Sequence, residues 1–156
     1  MTSATDRLGG LGKVLIAVYL VLAIAATFRS VYQILTKFDE APVAYALSAL
    51  AGVVYIVATV ALVKSGRRGR QAAGGSEAGR AWRVVAWGAL VFELAGVLIV
   101  GTLSLIAPQL FAHPSVWSQF GMGYLFIPLV LPVLGLLWLR RSGRPAGSAS
   151  AGAGAR

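Results

Sequence analysis

Four long apolar runs dominate this chain, and they occupy residues 14–28, 43–63, 84–107 and 120–139. Glu93 is the one acidic or basic residue inside any of them. A helix of about 20 apolar residues, rising about 1.5 Å per residue, spans the ~30 Å hydrocarbon core of a bilayer. The pattern therefore predicts an all-α fold, a polytopic transmembrane four-helix bundle.

The runs and the segments between them use the whole length of 156 residues. The predicted organisation is a cytoplasmic N-terminal tail, a four-helix membrane domain and a disordered cytoplasmic tail, over residues 1–12, 13–140 and 141–156. The predicted spans are about 13–33, 43–63, 84–107 and 120–139, with a mobile cytoplasmic loop over residues 64–83. The first span extends past its uncharged run because 14–28 is short, and the long side chain of Arg29 can reach outward to water.

A second interpretation of the first run stays open. Arg7 and Lys13, the apolar residues after them and the Ala-Ile-Ala sequence at 23–25 resemble a signal peptide with its cleavage site. We favour an uncleaved span, because no turn residue precedes this site and helix-forming residues continue through it.

The basic residues are distributed very unevenly along the chain. Twelve of the 14 lysines and arginines lie before the first run, between the second and third, or after the fourth. On the other side, Arg29 and Lys37 are offset by Asp39 and Glu40, and residues 108–119 contain no lysine or arginine. This positive-inside pattern predicts that both termini are cytoplasmic. We expect anionic lipid headgroups as the partner of these charges. We expect no nucleic-acid partner, because the basic segments lack interleaved aromatic residues.

Glu93 is the candidate functional residue, since it lies nine residues into the third run, about 14 Å from its inner boundary. An ionised acid at that depth costs at least ~2.5 kcal/mol. The carboxyl group must therefore be protonated, paired with a cation or beside water.

Three partners for Glu93 follow from depth along the helices. Tyr55 lies about 18 Å into the second span and is level with Glu93. Pro132, four residues after Pro128, has no N–H, so the Pro128 carbonyl lacks its helical donor and could accept a proton from Glu93. Arg29 is nearer the outer boundary, but its long side chain could reach toward the carboxyl group.

Two functions compete for this predicted site. Glu93 either binds a proton or cation that changes helix packing, or bridges helices through hydrogen bonds worth ~0.6–2 kcal/mol. We favour the second, a non-enzymatic structural or accessory membrane component. The alternative is a small proton- or cation-coupled transporter.

The sequence offers little chemistry for an enzyme. Cysteine is absent, His113 is the single histidine, and no Ser/His pair, paired aspartates or zinc motif occurs in the chain. A protease or metal site needs such residues together. We therefore expect no enzyme activity, no cofactor and no metal.

Small residues mark the predicted packing faces of the helices. Ala44, Ser48 and Gly52 recur at intervals of four in the second run, and Ala89 and Gly96 flank Glu93. Small residues let membrane helices approach closely, so Glu93 should face protein. Because four short helices barely enclose an acid at the midplane, we expect a homo-oligomer or a partner membrane protein.

Several sequence segments resemble a known group of proteins. Residues 36–42 (TKFDEAP), 45–50 (YALSAL), 92–97 (FELAGV) and 128–132 (PLVLP) are similar to uncharacterised four-span integral membrane proteins of high-GC Gram-positive bacteria. The resemblance covers most of residues 11–140. It implies a bacterial inner membrane, and that family has no assigned activity to carry over.

The charge pattern gives a first prediction. Single cysteines placed at Gly74 and Ser150 in the cysteine-free chain should react with a membrane-impermeant thiol reagent only from the cytoplasmic side. Labelling of either position in intact cells would contradict the topology.

Overall fold

A computed structural model describes residues 4–71, 77–111 and 113–142, and within these ranges the chain forms helices and turns without a strand. The four long helices are α1 (Ala4–Lys37), α2 (Pro42–Gln71), α3 (Glu77–Ile106) and α4 (Ile127–Ser142). Short 3₁₀ turns occur at Phe38–Glu40, Pro108–Phe111 and Ser118–Tyr124. The predicted all-α helical bundle is confirmed.

Three segments are long and apolar enough to cross a membrane, by length and composition. They are Gly9–Glu40, Pro42–Gly66 and Glu77–Ile106. Two further helices, Ser118–Tyr124 and Ile127–Ser142, meet at 97° and make a fourth span if they are counted together. Helices suit such apolar segments because hydrocarbon offers the backbone no hydrogen-bond partner outside the segment itself.

The fourth apolar run differs from the single span predicted over 120–139. The chain bends at Leu125 and Phe126, and α4 begins only at Ile127. Its 16 residues extend about 24 Å, short of a ~30 Å hydrocarbon core. Pro128 explains the break, because a residue without an N–H is tolerated in the first turn of a helix.

The helices are also longer at their charged ends than predicted. Residues 4–12 belong to α1 rather than to a tail, and most of the predicted loop 64–83 is helical. Lysine and arginine are good helix formers, and cations favour a helix C-terminus such as that of α2. The rest of the predicted loop, 72–76, and the tail from 143 lie outside the described residues.

The bundle has one end that carries the basic residues, here called the basic end. There Trp138 of α4 lies against Gly12 of α1 and Gly66 of α2. Arg83 near the start of α3 donates a hydrogen bond to the carbonyl oxygen of Leu139 in the last turn of α4. These contacts bring one end of every long helix together.

The opposite end contains the segment that precedes α4, residues 113–126, here called the connector. Arg29 of α1 donates hydrogen bonds to the Tyr124 hydroxyl and, at 3.5 Å, to the Pro114 carbonyl. His113 lies 3.7 Å from the Glu40 carboxylate, and its ring centroid is 6.0 Å from that of Tyr45. The connector is thus attached to α1, to α2 and to the turn between them.

The small-residue face predicted on α2 is confirmed. Ala44, Ser48 and Gly52 are all buried. A methyl group added at Gly52 would lie 3.6 Å from the α1 backbone at Ala26 and Thr27. Close approach of α1 and α2 therefore depends on these small side chains.

The contact between Trp138 and Gly12 generates a prediction. In Gly12→Ala, the new methyl group would lie 2.8 Å from the Trp138 ring, and such overpacking costs typically ~1–3 kcal/mol. In Gly10→Ala, nothing lies within 4 Å, so the ~1 kcal/mol gain in helix propensity is unopposed. Thermal unfolding in detergent should show Gly12→Ala less stable than Gly10→Ala, and equal stabilities would contradict the packing.

Candidate functional site

Glu93 lies in the interior of the bundle, as its small-residue neighbours predict. It belongs to the buried stripe of α3 together with Leu90 and Val97, and its side chain is 0% exposed. A single copy of the chain therefore encloses the acid. This removes the burial of Glu93 as a reason to expect an oligomer.

The hydrogen-bond partner of Glu93 is Tyr19 of α1. The Tyr19 hydroxyl donates to Glu93 Oε2 at 2.8 Å, and Tyr19 is 0% exposed. None of the three partners expected from the sequence, Tyr55, Pro128 or Arg29, forms a hydrogen bond to this carboxyl group among the described residues. The bond joins α1 to α3, two helices that are not consecutive in the chain.

Tyr55 does lie beside the carboxyl group, although it is not bonded to it. Its ring centroid is 6.2 Å from that of Tyr19, with the ring planes at 58°. The Tyr55 hydroxyl is within electrostatic range of Glu93. Both Tyr55 Oη and Glu93 Oε1 are buried without a hydrogen-bond partner among the described residues.

Trp117 is the fourth member of this group, and it comes from the connector. The indole is 2% exposed and packs on Gly96, where an added methyl group would be 2.7 Å from the ring. Its ring also meets that of Phe92 at 6.5 Å between centroids. The indole Nε1 is close to Tyr55 but forms no hydrogen bond to it, and it too is buried without a partner among the described residues.

Arg29 binds the connector and not Glu93. Its guanidinium donates to Tyr124 and Pro114 and lies over the Tyr124 ring, 5.7 Å from the centroid. Glu93 has no ion-pair partner among the residues described. An enclosed carboxyl group without a cation is far cheaper to bury as the neutral acid.

Pro128 also has a role different from the one predicted. It stands in the first turn of α4, packs against Gly121 and is buried. At this position its missing N–H breaks no helical hydrogen bond. Pro132, also buried, lies inside α4 as expected, but Glu93 forms no hydrogen bond to the Pro128 carbonyl among the described residues.

The side chains around Glu93 therefore form a buried polar cluster, defined as Tyr19, Tyr55, Glu93 and Trp117. Its four members come from α1, α2, α3 and the connector. The cluster offers a carboxyl group, two hydroxyls and an indole N–H, a set suited to hydrogen bonding and proton binding. Within the described ranges, no group of three His, Cys, Asp or Glu residues is placed to hold a metal.

Two members of the cluster, Tyr19 and Trp117, were not predicted from depth along the helices or from sequence motifs. Tyr19 is one of only two residues with a polar side chain in the first run, the other being Thr27, and that signal could have identified it. Trp117 precedes the fourth run and reads as an interfacial aromatic residue. Its burial depends on the path of the connector.

The bond between Tyr19 and Glu93 gives a direct prediction. Tyr19→Phe removes the one donor to the carboxyl group that the described residues supply, which should destabilise the protein by ~1–3 kcal/mol because a buried acceptor loses its partner. Tyr32→Phe serves as the control, since Tyr32 is exposed on the same helix. Equal thermal stability of the two variants in one detergent would mean that the bond contributes nothing.

Comparisons of this chain with protein-family models, with curated proteins and with solved structures found no match.

Proposed function

We propose that the chain is a multi-pass protein of the bacterial inner membrane, with both termini in the cytoplasm, and that it acts there as a non-enzymatic structural or accessory component. The observation that carries this proposal is the enclosed hydrogen bond between Tyr19 and Glu93. A neutral acid that accepts a bond from another helix fixes the register of the two helices without any chemical turnover.

Contacts at the basic end support the membrane placement. The Lys64 ammonium lies 4.1 Å from the centroid of the Trp82 ring, and Arg140 lies 5.7 Å from that of Trp87. Paired aromatic and basic side chains suit the boundary between hydrocarbon and headgroups. Anionic headgroups are the partner that these charges would attract on the cytoplasmic side.

An exposed stripe on α3 supports association with a second copy or with another membrane protein. Small side chains stand on this face at intervals of seven residues, namely Ala81, Gly88, Ala95 and Thr102. All four are exposed. Small residues on a lipid-facing surface allow a second helix to approach closely.

A second candidate function is a small proton- or cation-coupled transporter. It is favoured by three polar atoms of the cluster that are buried without a hydrogen-bond partner among the described residues, Glu93 Oε1, Tyr55 Oη and Trp117 Nε1. A purely structural bridge would be expected to satisfy its buried polar groups. An acid within a membrane segment is a common element of proton pathways.

Replacement of Glu93 separates the two functions. For a structural role, Glu93→Gln should change stability by no more than ~0.5–1.5 kcal/mol, because the amide oxygen still accepts from Tyr19. Glu93→Leu should cost ~1–3 kcal/mol, because the Tyr19 hydroxyl then has no acceptor. The infrared band of the protonated carboxyl should persist from about pH 5 to pH 9 and vanish in Glu93→Gln.

The control is Glu77→Gln, an exposed acid at the start of the same helix. It should leave the band unchanged. Loss of the band within that pH range, together with proton flux into liposomes that Glu93→Gln abolishes, would reject the structural role in favour of the carrier.

A further inference from the structure

Two glycines of α3 hold aromatic rings of the connector. Trp117 lies on Gly96, and Phe120 lies on Gly101, where an added methyl group would be 2.5 Å from the ring. Gly96 is three residues beyond Glu93 toward the connector end, about 4.5 Å along the helix axis. The Trp117 ring therefore lies between the connector end of the bundle and the carboxyl group.

The connector backbone is strained. Gln119, Phe120, Leu125 and Phe126 all have positive φ angles, between 50° and 59°. Residues other than glycine rarely adopt this conformation, and they keep it only where surrounding contacts hold it. Gln119 and Phe120 immediately precede Gly121, and Leu125 and Phe126 lie at the bend before α4.

Side chains hold this strained segment in place, together with backbone hydrogen bonds such as that from the Phe126 N–H to the Gly121 carbonyl oxygen at 3.0 Å. Ser104 of α3 accepts a hydrogen bond from the Gln119 N–H at 2.7 Å, and Arg29 holds Tyr124. Ser115 and Ser118 bond to each other at 2.9 Å. A short segment with such contacts opens more readily than the helices around it.

The donors and acceptors among the polar atoms of the cluster indicate which ligand could bind between them. The indole Nε1 can only donate, whereas the Tyr55 hydroxyl and Oε1 of the neutral Glu93 carboxyl group can each donate or accept. Water matches this set because it donates and accepts, whereas a cation would face the indole N–H. All three atoms are buried and unpaired among the described residues.

We propose that the connector is a hinged plug with Trp117 as its stopper, and that undocking of the ring from Gly96 admits water from the connector end to Tyr55 and Glu93. The bend at Leu125 and Phe126 is the hinge. This access follows from the packing and strain of the connector, and it holds for either function of Glu93.

The test uses a buried reporter that leaves the carboxyl group in place. Leu90 is 0% exposed and lies on the same stripe of α3, three residues from Glu93 toward the basic end, so that a reagent from the connector end must pass the Trp117 position to reach it. Leu90→Cys in the cysteine-free chain would be treated with a membrane-impermeant, positively charged methanethiosulfonate, which needs water to reach the thiol. A separate Gly123→Cys protein marks the side of the membrane on which the connector lies, since Gly123 is exposed.

Two changes should open the plug by different means. Gly96→Ala displaces the Trp117 ring, and Trp117→Ala removes it. Undocked states typically populate about 0.1–10% of molecules, so a shift toward the open state should accelerate labelling of Leu90→Cys about tenfold or more. The acceleration should appear from the side that labels Gly123→Cys.

The matched control is Gly88→Ala on the same helix, where an added methyl group meets nothing within 4 Å. It should leave the labelling rate unchanged. Unchanged rates in both plug variants, or acceleration from the basic end alone, would overturn the proposal. If Gly96→Ala fails to fold, Trp117→Ala decides the result by itself.

Discussion

An apolar helical interior offers a buried acid no water to bond, so a carboxyl group enclosed there has to find its donor within the protein. Glu93 finds it in Tyr19, across the bundle on α1. The rest of the interior is arranged around that bond. Tyr55 packs on the Tyr19 ring, and Trp117 packs on Gly96 on the connector side of the cluster. The small side chains of α2 let α1 approach closely enough for its tyrosine to reach the acid.

Much of this architecture could be read from the sequence. A long uncharged run in an apolar solvent forms a helix, because the helix satisfies its own backbone hydrogen bonds. The lone acid among small residues was expected to face protein. The choice of partner was harder. Counted from the predicted ends of the spans, Tyr19 is about 9 Å deep and Glu93 about 14 Å. That difference of about 5 Å favoured Tyr55, which counts as level with Glu93, over Tyr19.

The connector could not be deduced from local pattern. Its path depends on where Pro128 allows α4 to begin, and on whether glycines of α3 face the returning chain. Aromatic residues near the end of an apolar run usually belong to the membrane boundary, and nothing in the sequence around Trp117 distinguishes a buried ring from an interfacial one. The partner of Arg29, Tyr124, also lies on a segment whose position follows from this same path.

The contacts of α4 at the basic end bear on how that helix can move. Trp138 rests on glycines of two other helices, and Arg83 holds the carbonyl oxygen of Leu139. At its other end α4 joins a backbone that turns through 97° at residues in an uncommon conformation. A helix that is held at one end and follows a hinge at the other can tilt about the held end but cannot shift along its own axis. Displacements of α4 should therefore grow steadily from Trp138 toward Ile127. The widest gap would open against the turns of α3 that are nearest the connector.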